Sequence, residues 1–271
     1  MKNLENKVAL VTGGASGIGE ATAQALAGVG CRVIIADINE EGGRRVAASI
    51  GDDRAFAIHC DVGAPDAFDA AKEATLEKFG RIDIVMNNAG ILTSGRPEDL
   101  PVEEWQRVLD VNLMSVVRSN AVFLPIFLEQ GSGHIVNTAS FSGLYTYAYD
   151  RLPYAAAKAA LIQLSEGLAL YLRPQGIGVT CLCPGPVKTN IMSSTRTFSE
   201  GLDIRGPGAQ FSLLEAEEVG RMVVDAIRND TFMLPTDHQV RELLVERASD
   251  WDGFLQRQID SPHIIVPGKR R

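Results

Sequence analysis

The sequence contains few cysteines, and it lacks a basic surplus and a long apolar run. Four cysteines among 271 residues are too few for a disulfide scaffold of this size. The formal net charge of -8 argues against a nucleic-acid-binding surface, which needs a basic face. No stretch approaches the roughly 18 uninterrupted apolar residues that span a bilayer, and no signal-peptide segment opens the chain. We therefore expect a cytoplasmic protein without nucleic-acid or membrane partners.

Length and composition indicate an ordinary globular protein. Apolar residues make up 45% of the chain and charged residues 22%, as in soluble domains. We expect residues 1–271 to form one large α/β domain. Cys181 and Cys183 alternate along an apparent strand and so share a face, but no second pair of ligands lies nearby. We interpret them as small buried apolar residues and expect no metal site.

Short β-branched runs alternate with helical stretches along most of the chain. This pattern is typical of a Rossmann-type doubly wound parallel sheet, here of about seven strands, with helices on both faces. The strands are predicted at Val8–Thr12, Arg32–Asp37, Ala55–Asp61, Ile82–Met86, Gly133–Thr138, Gly178–Cys183 and Phe232–Pro235. The helices are predicted at Glu20–Val29, Ala64–Phe79, Val102–Glu129 and Tyr154–Leu172, the third interrupted or bent near Pro125.

Two segments depart from this rhythm. Residues 191–214 are rich in Ser, Thr, Gly and Pro without a clear period, and such a long irregular loop is either a lid or a disordered insertion. Phe198 and Phe211 favour the lid. Residues 239–271 are predicted to form a C-terminal helical extension, in which Trp251, Phe254 and Leu255 are interpreted as core or subunit contacts.

A glycine-rich turn follows the first strand directly, as Thr12-Gly13-Gly14-Ala15-Ser16-Gly17-Ile18-Gly19. Such a turn lets the backbone approach a pyrophosphate, and the following helix N-terminus supplies free N–H groups. The glycine spacing departs from the usual dinucleotide-binding fingerprint, and an ordinary tight turn is the alternative. The strand-turn-helix context favours nucleotide binding, with contacts predicted from Gly13, Ser16, Gly17, Ile18 and Gly19.

An acidic residue, Asp37, ends the second strand 18 residues beyond Gly19, close to the interval of about 20 found in dinucleotide-binding folds. Its carboxylate can accept hydrogen bonds from both ribose hydroxyls and would repel a 2′-phosphate. No lysine or arginine stands at Ser16, Ile38 or Asn39 to attract that phosphate. The sequence therefore predicts NAD rather than NADP.

Tyr154 and Lys158 are four residues apart on a predicted helix, so their side chains share one face. A free phenol has a pKa of about 10, too high for an efficient base at neutral pH. A neighbouring ammonium and an oxidised nicotinamide would lower the pKa of the phenol. The alternative is an amphipathic helix whose lysine extends to solvent.

The order and spacing of these motifs resemble the short-chain dehydrogenases/reductases over nearly the whole chain to about Pro235. The matching motifs are Thr12-Gly13-x-x-x-Gly17-x-Gly19, Asp61-Val62, Asn87-Asn88-Ala89-Gly90, Asn112, Ser140, Tyr154-x-x-x-Lys158 and Pro184-Gly185-x-Val187-x-Thr189. The resemblance implies a single-domain NAD-dependent oxidoreductase.

The resemblance also implies a catalytic set. Ser140 would orient the substrate oxygen, and Tyr154 would take the hydroxyl proton as hydride leaves for the nicotinamide. Lys158 would bind the nicotinamide ribose and lower the pKa of Tyr154, while Asn112 would hold a water that passes the proton outward. Ser142 is the rival for the role of Ser140, which is preferred because it follows the strand ending Val-Asn-Thr-Ala as in the family pattern.

The remaining motifs are implied to contact the cofactor. Asp61 and Val62 would flank the adenine, Asn88 and Gly90 the adenosine ribose. The carboxamide would lie against Val187 and Thr189. Neighbouring motif positions are included in the predicted site, namely Ala89, Pro184 and Gly185. Asn87 and Asn88 have an alternative role, since an asparagine can simply stabilise a strand end by bonding backbone.

The implied reaction is oxidation of a secondary alcohol to a ketone, or the reverse. Aromatic and apolar residues crowd the segment before Tyr154 and the lid, and they favour an apolar or aromatic substrate: Phe141, Leu144, Tyr145, Tyr147, Tyr149, Met192, Phe198 and Phe211. The alternative is that several of them are core or interface residues. Arg151, Arg196 and Arg205 are interpreted as solvated rather than as binders of an acidic substrate group.

One departure from the family concerns assembly. Many members end in a strand leading to Val-Asp-Gly-Gly, which packs in tetramers, whereas this chain continues from Thr231 into an amphipathic stretch. We expect a homodimer through the long helices, including the one with Tyr154, or a homotetramer.

Two rival functions remain, a non-catalytic NAD-binding regulator and an epimerase or lyase that uses NAD transiently.

Overall fold

A parallel sheet of seven strands runs through the centre of the protein. The computed structural model describes residues 1–202 and 204–260. Its strands are β1 (Val8–Thr12), β2 (Arg32–Asp37), β3 (Ala55–His59), β4 (Ile84–Asn87), β5 (Thr93–Ser94), β6 (Gly133–Thr138), β7 (Ile177–Cys183), β8 (Arg196–Thr197) and β9 (Met233–Pro235). The main sheet has the order β3-β2-β1-β4-β6-β7-β9, and β5 pairs with β8. The predicted Rossmann-type α/β sheet is confirmed.

Helices cover both faces of this sheet. They are α1 (Gly17–Gly28), α2 (Glu40–Ile50), α3 (Ala67–Phe79), α4 (Val102–Leu109), α5 (Ser115–Gln130), α6 (Phe141–Leu144), α7 (Leu152–Leu172), α8 (Ala216–Asn229), α9 (Val240–Ser249) and α10 (Trp251–Asp260). Successive residues of a strand point to opposite faces, so Ala9 packs with α1, α2 and α8 while Leu10 packs with α3, α5 and α7. Helices α2 and α8 had not been predicted.

The long helical run from Val102 changes its hydrogen bonding between α4 and α5. Residues Asp110–Met114 form a π-helical turn, whereas Pro125 lies inside α5. The interruption predicted near Pro125 is therefore wrong in position. Asn112 lies within this turn, and its side chain bonds Ile91 in the segment after β4. π-Helical turns are frequent at functional sites.

The same run, Val102–Gln130, is long and apolar enough to cross a membrane by length and composition alone. It has 29 residues and a mean hydropathy of 1.5 in its most apolar window, of which 33% is buried inside the fold. The run packs against α3 and α7. One helix of this kind is weak evidence for a membrane span, because core helices of soluble proteins meet the same criterion.

The irregular segment 191–214, described at 191–202 and 204–214, lies over the carboxyl ends of the strands. Its strand β8 pairs with β5, and the Phe198 amide donates to the Ser94 carbonyl at 2.8 Å. The Tyr145 hydroxyl donates to the Pro207 carbonyl at 2.7 Å. Helices α9 and α10 form the described part of the predicted C-terminal extension, and residues 261–271 of that prediction lie outside the described residues.

Candidate active site

One cavity of about 750 Å³ opens where the strand order reverses between β1 and β4. The carboxyl ends of parallel strands form such a crevice in open α/β sheets. Most of the predicted site residues line it: Gly13, Ser16, Gly17, Ile18, Asp37, Asp61, Val62, Asn88, Ala89, Gly90, Ser140, Tyr154, Lys158, Pro184, Gly185, Val187 and Thr189. Gly19 and Asn112 lie behind this lining.

The glycine turn has a backbone that other residues would strain. Gly13 and Gly17 have φ angles of 64° and 55°, in the left-handed region that glycine adopts without a steric penalty. A Cβ on Gly19 would lie 2.1 Å from the Gly13 carbonyl oxygen, so Gly19 allows the turn to close on helix α1. A Cβ on Gly17 would lie 3.2 Å from the Thr189 methyl group, which places the segment after β7 against the turn.

Asn88 fastens this turn to the neighbouring strands. Its Nδ2 donates to the carbonyl oxygens of Thr12 and Gly13 at 3.1 and 3.3 Å. Its Oδ1 accepts from the Thr138 hydroxyl at 3.3 Å. Asn87 bonds Asn137 across β4 and β6 at 2.9 Å. Both asparagines therefore have the structural role that was considered for them. Asn88 holds the glycine turn in shape through contacts within the protein.

The Asp37 carboxylate stands at one end of the cavity with its orientation fixed. It accepts the backbone N–H of Ala15 at 3.0 Å and that of Asn39 at 2.9 Å. Arg45, on α2, donates to the Ala15 carbonyl at 3.0 Å and pairs with Glu20 at 2.8 Å. The Arg45 guanidinium beside this part of the turn is therefore already paired with a carboxylate.

Tyr154 and Lys158 lie side by side at the other end of the cavity. The Lys158 Nζ is 5.5 Å from the Tyr154 ring centroid and donates to the Thr138 carbonyl at 2.7 Å. Thr138 ends β6, so a strand end fixes the ammonium while α7 fixes the phenol. The four-residue spacing has brought the two side chains together as predicted.

Burial changes the ionisation of both groups. It raises the pKa of Tyr154 to about 12, an increase that the nearby Ser140 hydroxyl and Arg151 partly oppose. It lowers the pKa of Lys158 to about 8. Burial disfavours the charged form of each group. At neutral pH the protein therefore holds a neutral phenol beside an ammonium.

The buried ammonium should destabilise the cofactor-free fold. Because burial lowers the pKa of Lys158 from 10.5 to about 8, the folded state resists protonation. Stability is therefore lost as pH falls from about 10.5 to about 8, and it stays lost below that pH. We expect Lys158→Met to raise the free energy of unfolding by about 1–3 kcal/mol at pH 7, the lost bond to Thr138 offsetting part of the gain.

Urea unfolding between pH 7 and pH 10 would test this. The advantage of the methionine variant should shrink as pH rises from about 8 towards about 10.5, because the lysine is then neutral in both states. Lys72→Met, on the surface of α3, is the matched control. An equal or lower stability of Lys158→Met across this range would contradict the expectation.

Asn112 braces the site from the π-helical turn. Its Nδ2 donates to the carbonyls of Ile91 and Val108 at 2.9 and 3.0 Å, and its Oδ1 accepts the Ile91 N–H at 3.1 Å. A Cβ on Gly90 would lie 2.7 Å from that Oδ1 and 3.6 Å from the Lys158 Nζ. Gly90 thus leaves room between the amide and the ammonium.

The structure distinguishes the two candidate serines. Ser140 lines the cavity, and its hydroxyl caps α6 by accepting the Ser142 N–H at 3.1 Å. The Ser142 hydroxyl is instead bonded to the Tyr147 hydroxyl at 2.7 Å, outside the cavity lining. This placement supports Ser140 as the residue that faces the substrate.

Part of the expected aromatic lining is wrong. Phe141, Tyr145 and Phe211 are buried in a core cluster with Val240 and Phe254, and the Phe141 and Phe211 rings are 5.1 Å apart. The core alternative therefore holds for these three residues. Cavity-lining residues outside the predicted site and lid include Ile91, Arg107, Val111 and Asn190, while Ile191, Ser193 and Ser194 belong to the segment predicted as a lid. Asn190 to Ser194 directly follow the Thr189 motif, which was the available signal.

Arg151 is not the solvated arginine that the sequence indicated. Its side chain is 11% exposed and that of Asp150 is 1% exposed. The guanidinium donates to both Asp150 carboxylate oxygens at 2.6 and 3.1 Å. This buried salt bridge stands directly before α7, with Arg151 three residues before Tyr154.

No group of three or more His, Cys, Asp and Glu side chains is placed to hold a metal within residues 1–202 and 204–260. The Cys181 and Cys183 sulfurs lie 3.9 Å apart on one face of β7. Both are fully buried in the core cluster that contains Phe141, Tyr145 and Phe211. They pack as the small apolar residues that the sequence indicated.

Comparison with known proteins now bears on this site. The sequence profile of the family described as short chain dehydrogenase matches residues 7–200. The chain belongs to this family. The meso-2,3-butanediol dehydrogenase of Serratia marcescens is 38% identical over 69% of this chain and 74% of its own length. The 3-alpha-(or 20-beta)-hydroxysteroid dehydrogenase of Mycobacterium bovis is 41% identical over 69% and 71%.

Solved structures of short-chain dehydrogenases extend the likeness over the C-terminal elements. A short chain dehydrogenase/reductase from Burkholderia phymatum in complex with NAD has a TM-score of 0.83 and 28% identity, over 100% of both chains. The 3-ketoacyl-(acyl-carrier-protein) reductase of Brucella melitensis complexed with NADH has a TM-score of 0.77 and 32% identity, over 86% of this chain and 98% of that one. This short-chain dehydrogenase is thus an oxidoreductase of a family that uses NAD or NADP.

Proposed function

We propose that this short-chain dehydrogenase transfers a hydride between a secondary alcohol and NAD, with the ketone formed or consumed. A single observation carries the proposal. One cavity is lined at one end by the glycine turn and Asp37, and at the other by Ser140, Tyr154 and Lys158. A dinucleotide lying along it would present its reactive end to the phenol.

The residues present fit NAD. The glycine turn and the N-terminus of α1 offer N–H groups for the pyrophosphate, and the Asp37 carboxylate is turned to the ribose end. Asp61 and Val62 would hold the adenine, Lys158 the second ribose, and Thr189 the carboxamide. The bound cofactor supplies the hydride acceptor and, when oxidised, a positive charge.

The chain's own residues would carry the proton. During alcohol oxidation the Tyr154 phenolate takes the hydroxyl proton while Ser140 holds the substrate oxygen by a hydrogen bond. The Lys158 ammonium favours the phenolate over the phenol. Asn112, whose amide is locked on Ile91, supports the segment along which the proton would leave.

The pH dependence should have opposite signs in the two directions. Burial keeps the pKa of Tyr154 high, at about 12 in the free protein, so the phenolate is the scarce form at neutral pH. Alcohol oxidation needs the phenolate. We therefore expect kcat/KM for the alcohol to rise tenfold per pH unit below the pKa of Tyr154 in the complex with NAD. Ketone reduction needs the neutral phenol. Its kcat/KM should therefore fall once pH exceeds the pKa of Tyr154 in the complex with NADH. Initial rates in both directions from pH 6 to pH 10 would measure this.

The substrate class can be tested with a panel of aromatic, steroid and sugar alcohols and vicinal diols in the presence of NAD. The butanediol dehydrogenase and the hydroxysteroid dehydrogenase described above motivate the diol and the steroid. Turnover is followed by the near-ultraviolet absorbance of NADH. NADH binding without turnover of any alcohol or ketone would favour the regulator instead.

We also propose that residues 191–214 close over the substrate and that the enzyme is a soluble cytoplasmic homo-oligomer. Asn190, Ile191 and Ser194 line the cavity beside the proposed substrate position.

The proposed oligomer is supported by exposed apolar side chains on α5 and α7, among them Val117 at 39% and Leu170 at 82% exposure.

A charged residue on α7 should dissociate this oligomer if the long helices form its interface. We expect Leu170→Glu to lower the mass measured by sedimentation equilibrium to that of a monomer, because a buried unpaired carboxylate is costly. Val245→Glu, on α9 and 67% exposed, is the matched control. Dissociation by the control alone would move the interface to the C-terminal helices.

A further inference from the structure

The salt bridge Asp150–Arg151 is a buried charged group that the proposed mechanism does not use. It lies at the N-terminus of α7, where Arg151 is the residue before the first turn. Placing two charges away from water is costly, and apolar residues of similar volume often serve stability as well. A role in stability alone therefore gives a weak reason for an ion pair at this position.

Three contacts fix the guanidinium. Nε and Nη2 of Arg151 donate to the two Asp150 carboxylate oxygens, and Nη2 also donates to the Arg205 carbonyl at 2.8 Å. The Asp150 carbonyl accepts the Gly95 N–H at 2.8 Å. The pair therefore ties the first turn of α7 both to the segment after β5 and to the irregular segment 191–214.

The guanidinium also stands beside the hydroxyl groups of the site. Arg151 is the N-cap of α7, and its carbonyl accepts the Ala155 N–H at 3.0 Å, so Arg151 lies one turn before Tyr154. The Arg151 Cζ is 5.8 Å from the Tyr147 ring centroid. The Tyr147 hydroxyl is bonded to the Ser142 hydroxyl, and the Ser142 N–H donates to the Ser140 hydroxyl. This chain of contacts joins the arginine to the Ser140 hydroxyl, which lies beside the Tyr154 phenol.

We propose that Arg151 is a positioning residue for the catalytic tyrosine, which supplies a fixed positive charge beside the phenol and links that charge to the segment 191–214. This inference rests on the proposed function, in which Tyr154 is the acid/base. The charge of Arg151 favours the ionised phenol, whereas Tyr147 and Cys183 disfavour it. The Lys158 Nζ lies 5.5 Å from the Tyr154 ring centroid. Asp150 pairs with the Arg151 guanidinium, and the Arg205 guanidinium lies over the Tyr149 ring.

Substitutions of the two partners should move the pH dependence in opposite directions. We expect Arg151→Gln to raise the apparent pKa of the alcohol-oxidation profile by about one unit, since an adjacent opposite charge typically shifts a pKa by 1–3 units. The rate at a pH below that value then falls about tenfold. Asp150→Asn removes the counter-charge and should lower the apparent pKa. If the pair were only structural, both variants would lose activity at an unchanged pKa.

Arg151→Lys distinguishes the effect of the positive charge from the effect of the hydrogen bond to the segment 191–214. A lysine keeps the positive charge but lacks the planar fork that holds Asp150 and the Arg205 carbonyl together. We expect an apparent pKa near that of the parent enzyme, with the KM for the alcohol raised about threefold or more. Arg221→Gln, which removes an exposed arginine on α8, is the matched control and should change neither quantity.

A measurement without turnover keeps this inference distinct from the proposed function. The near-ultraviolet absorbance of tyrosinate is titrated with NAD at saturation, and the titration of Tyr154→Phe is subtracted to isolate one phenol. The same subtraction is made in the Arg151→Gln background, with thermal melting and NADH binding as checks of folding. An unchanged midpoint overturns the role of Arg151. A raised midpoint supports it even if no alcohol is oxidised, an outcome that would count against the proposed function alone.

Discussion

Tyr154→Phe should reduce alcohol oxidation by about 10²- to 10⁴-fold, the usual contribution of a positioned acid/base. The substitution removes one oxygen and retains the ring, so the packing of α7 and the 5.5 Å approach of the Lys158 Nζ to the ring centroid should persist. We expect NADH to bind with an affinity within about threefold of the parent, because the phenol adds at most one neutral hydrogen bond to the cofactor.

The measurement is kcat/KM for whichever alcohol the panel identifies, together with the fluorescence of bound NADH. Tyr171→Phe is the matched control, since Tyr171 lies on the same helix and is 59% exposed. Turnover that survives Tyr154→Phe would remove the proposed acid/base. Loss of NADH binding along with turnover would instead show that the Tyr154 hydroxyl supports the cofactor site.

Asp37→Ser should shift cofactor preference from NAD towards NADP by about 10²-fold. The carboxylate is expected to hold both ribose hydroxyls, and hydrogen bonds to a charged group contribute about 1.5–3 kcal/mol. Its loss should therefore raise the KM for NAD by about 10- to 100-fold. The gain with NADP should be smaller, because Arg45 is already paired with Glu20 and the substitution provides no cation for the 2′-phosphate.

Initial rates with both cofactors would measure this preference as a ratio of kcat/KM values. Asp53→Ser is the matched control, because the Asp53 side chain is 84% exposed and lies away from the cavity. Thermal melting should accompany the rates, since Asp37 also accepts the N–H groups of Ala15 and Asn39. A preference ratio equal to that of the parent would contradict the assignment of Asp37 to the ribose.

The central strands could be predicted from the sequence because their information is local. Strands β1, β2 and β6 begin and end at the predicted residues, since each contains a short run of apolar residues and is largely buried on both faces. Helix α2 was missed because its first turn contains Gly42 and Gly43, which disfavour a helix. The Asn39 side chain caps it by accepting the Gly42 N–H at 3.1 Å.

The site motifs were recognisable because short spacings along the chain carry them. The four-residue interval of Tyr154 and Lys158 and the glycine turn are fixed by one helix and one loop. Properties that depend on distant partners were not accessible. The burial of Phe141 requires Phe211, and the environment of Arg151 requires the Arg205 carbonyl, each more than 50 residues away along the chain.

The π-helical turn at Asp110–Met114 means that this helical run contains one residue more than regular α-helical winding would accommodate. Deletion of one residue there would give a more regular helix, with better local hydrogen bonding. It would also rotate α4 relative to α5 by about 100° and carry Asn112 away from Ile91. A shortened chain of this kind would have a more ideal secondary structure, but it would lose the contact by which Asn112 supports the proposed proton path.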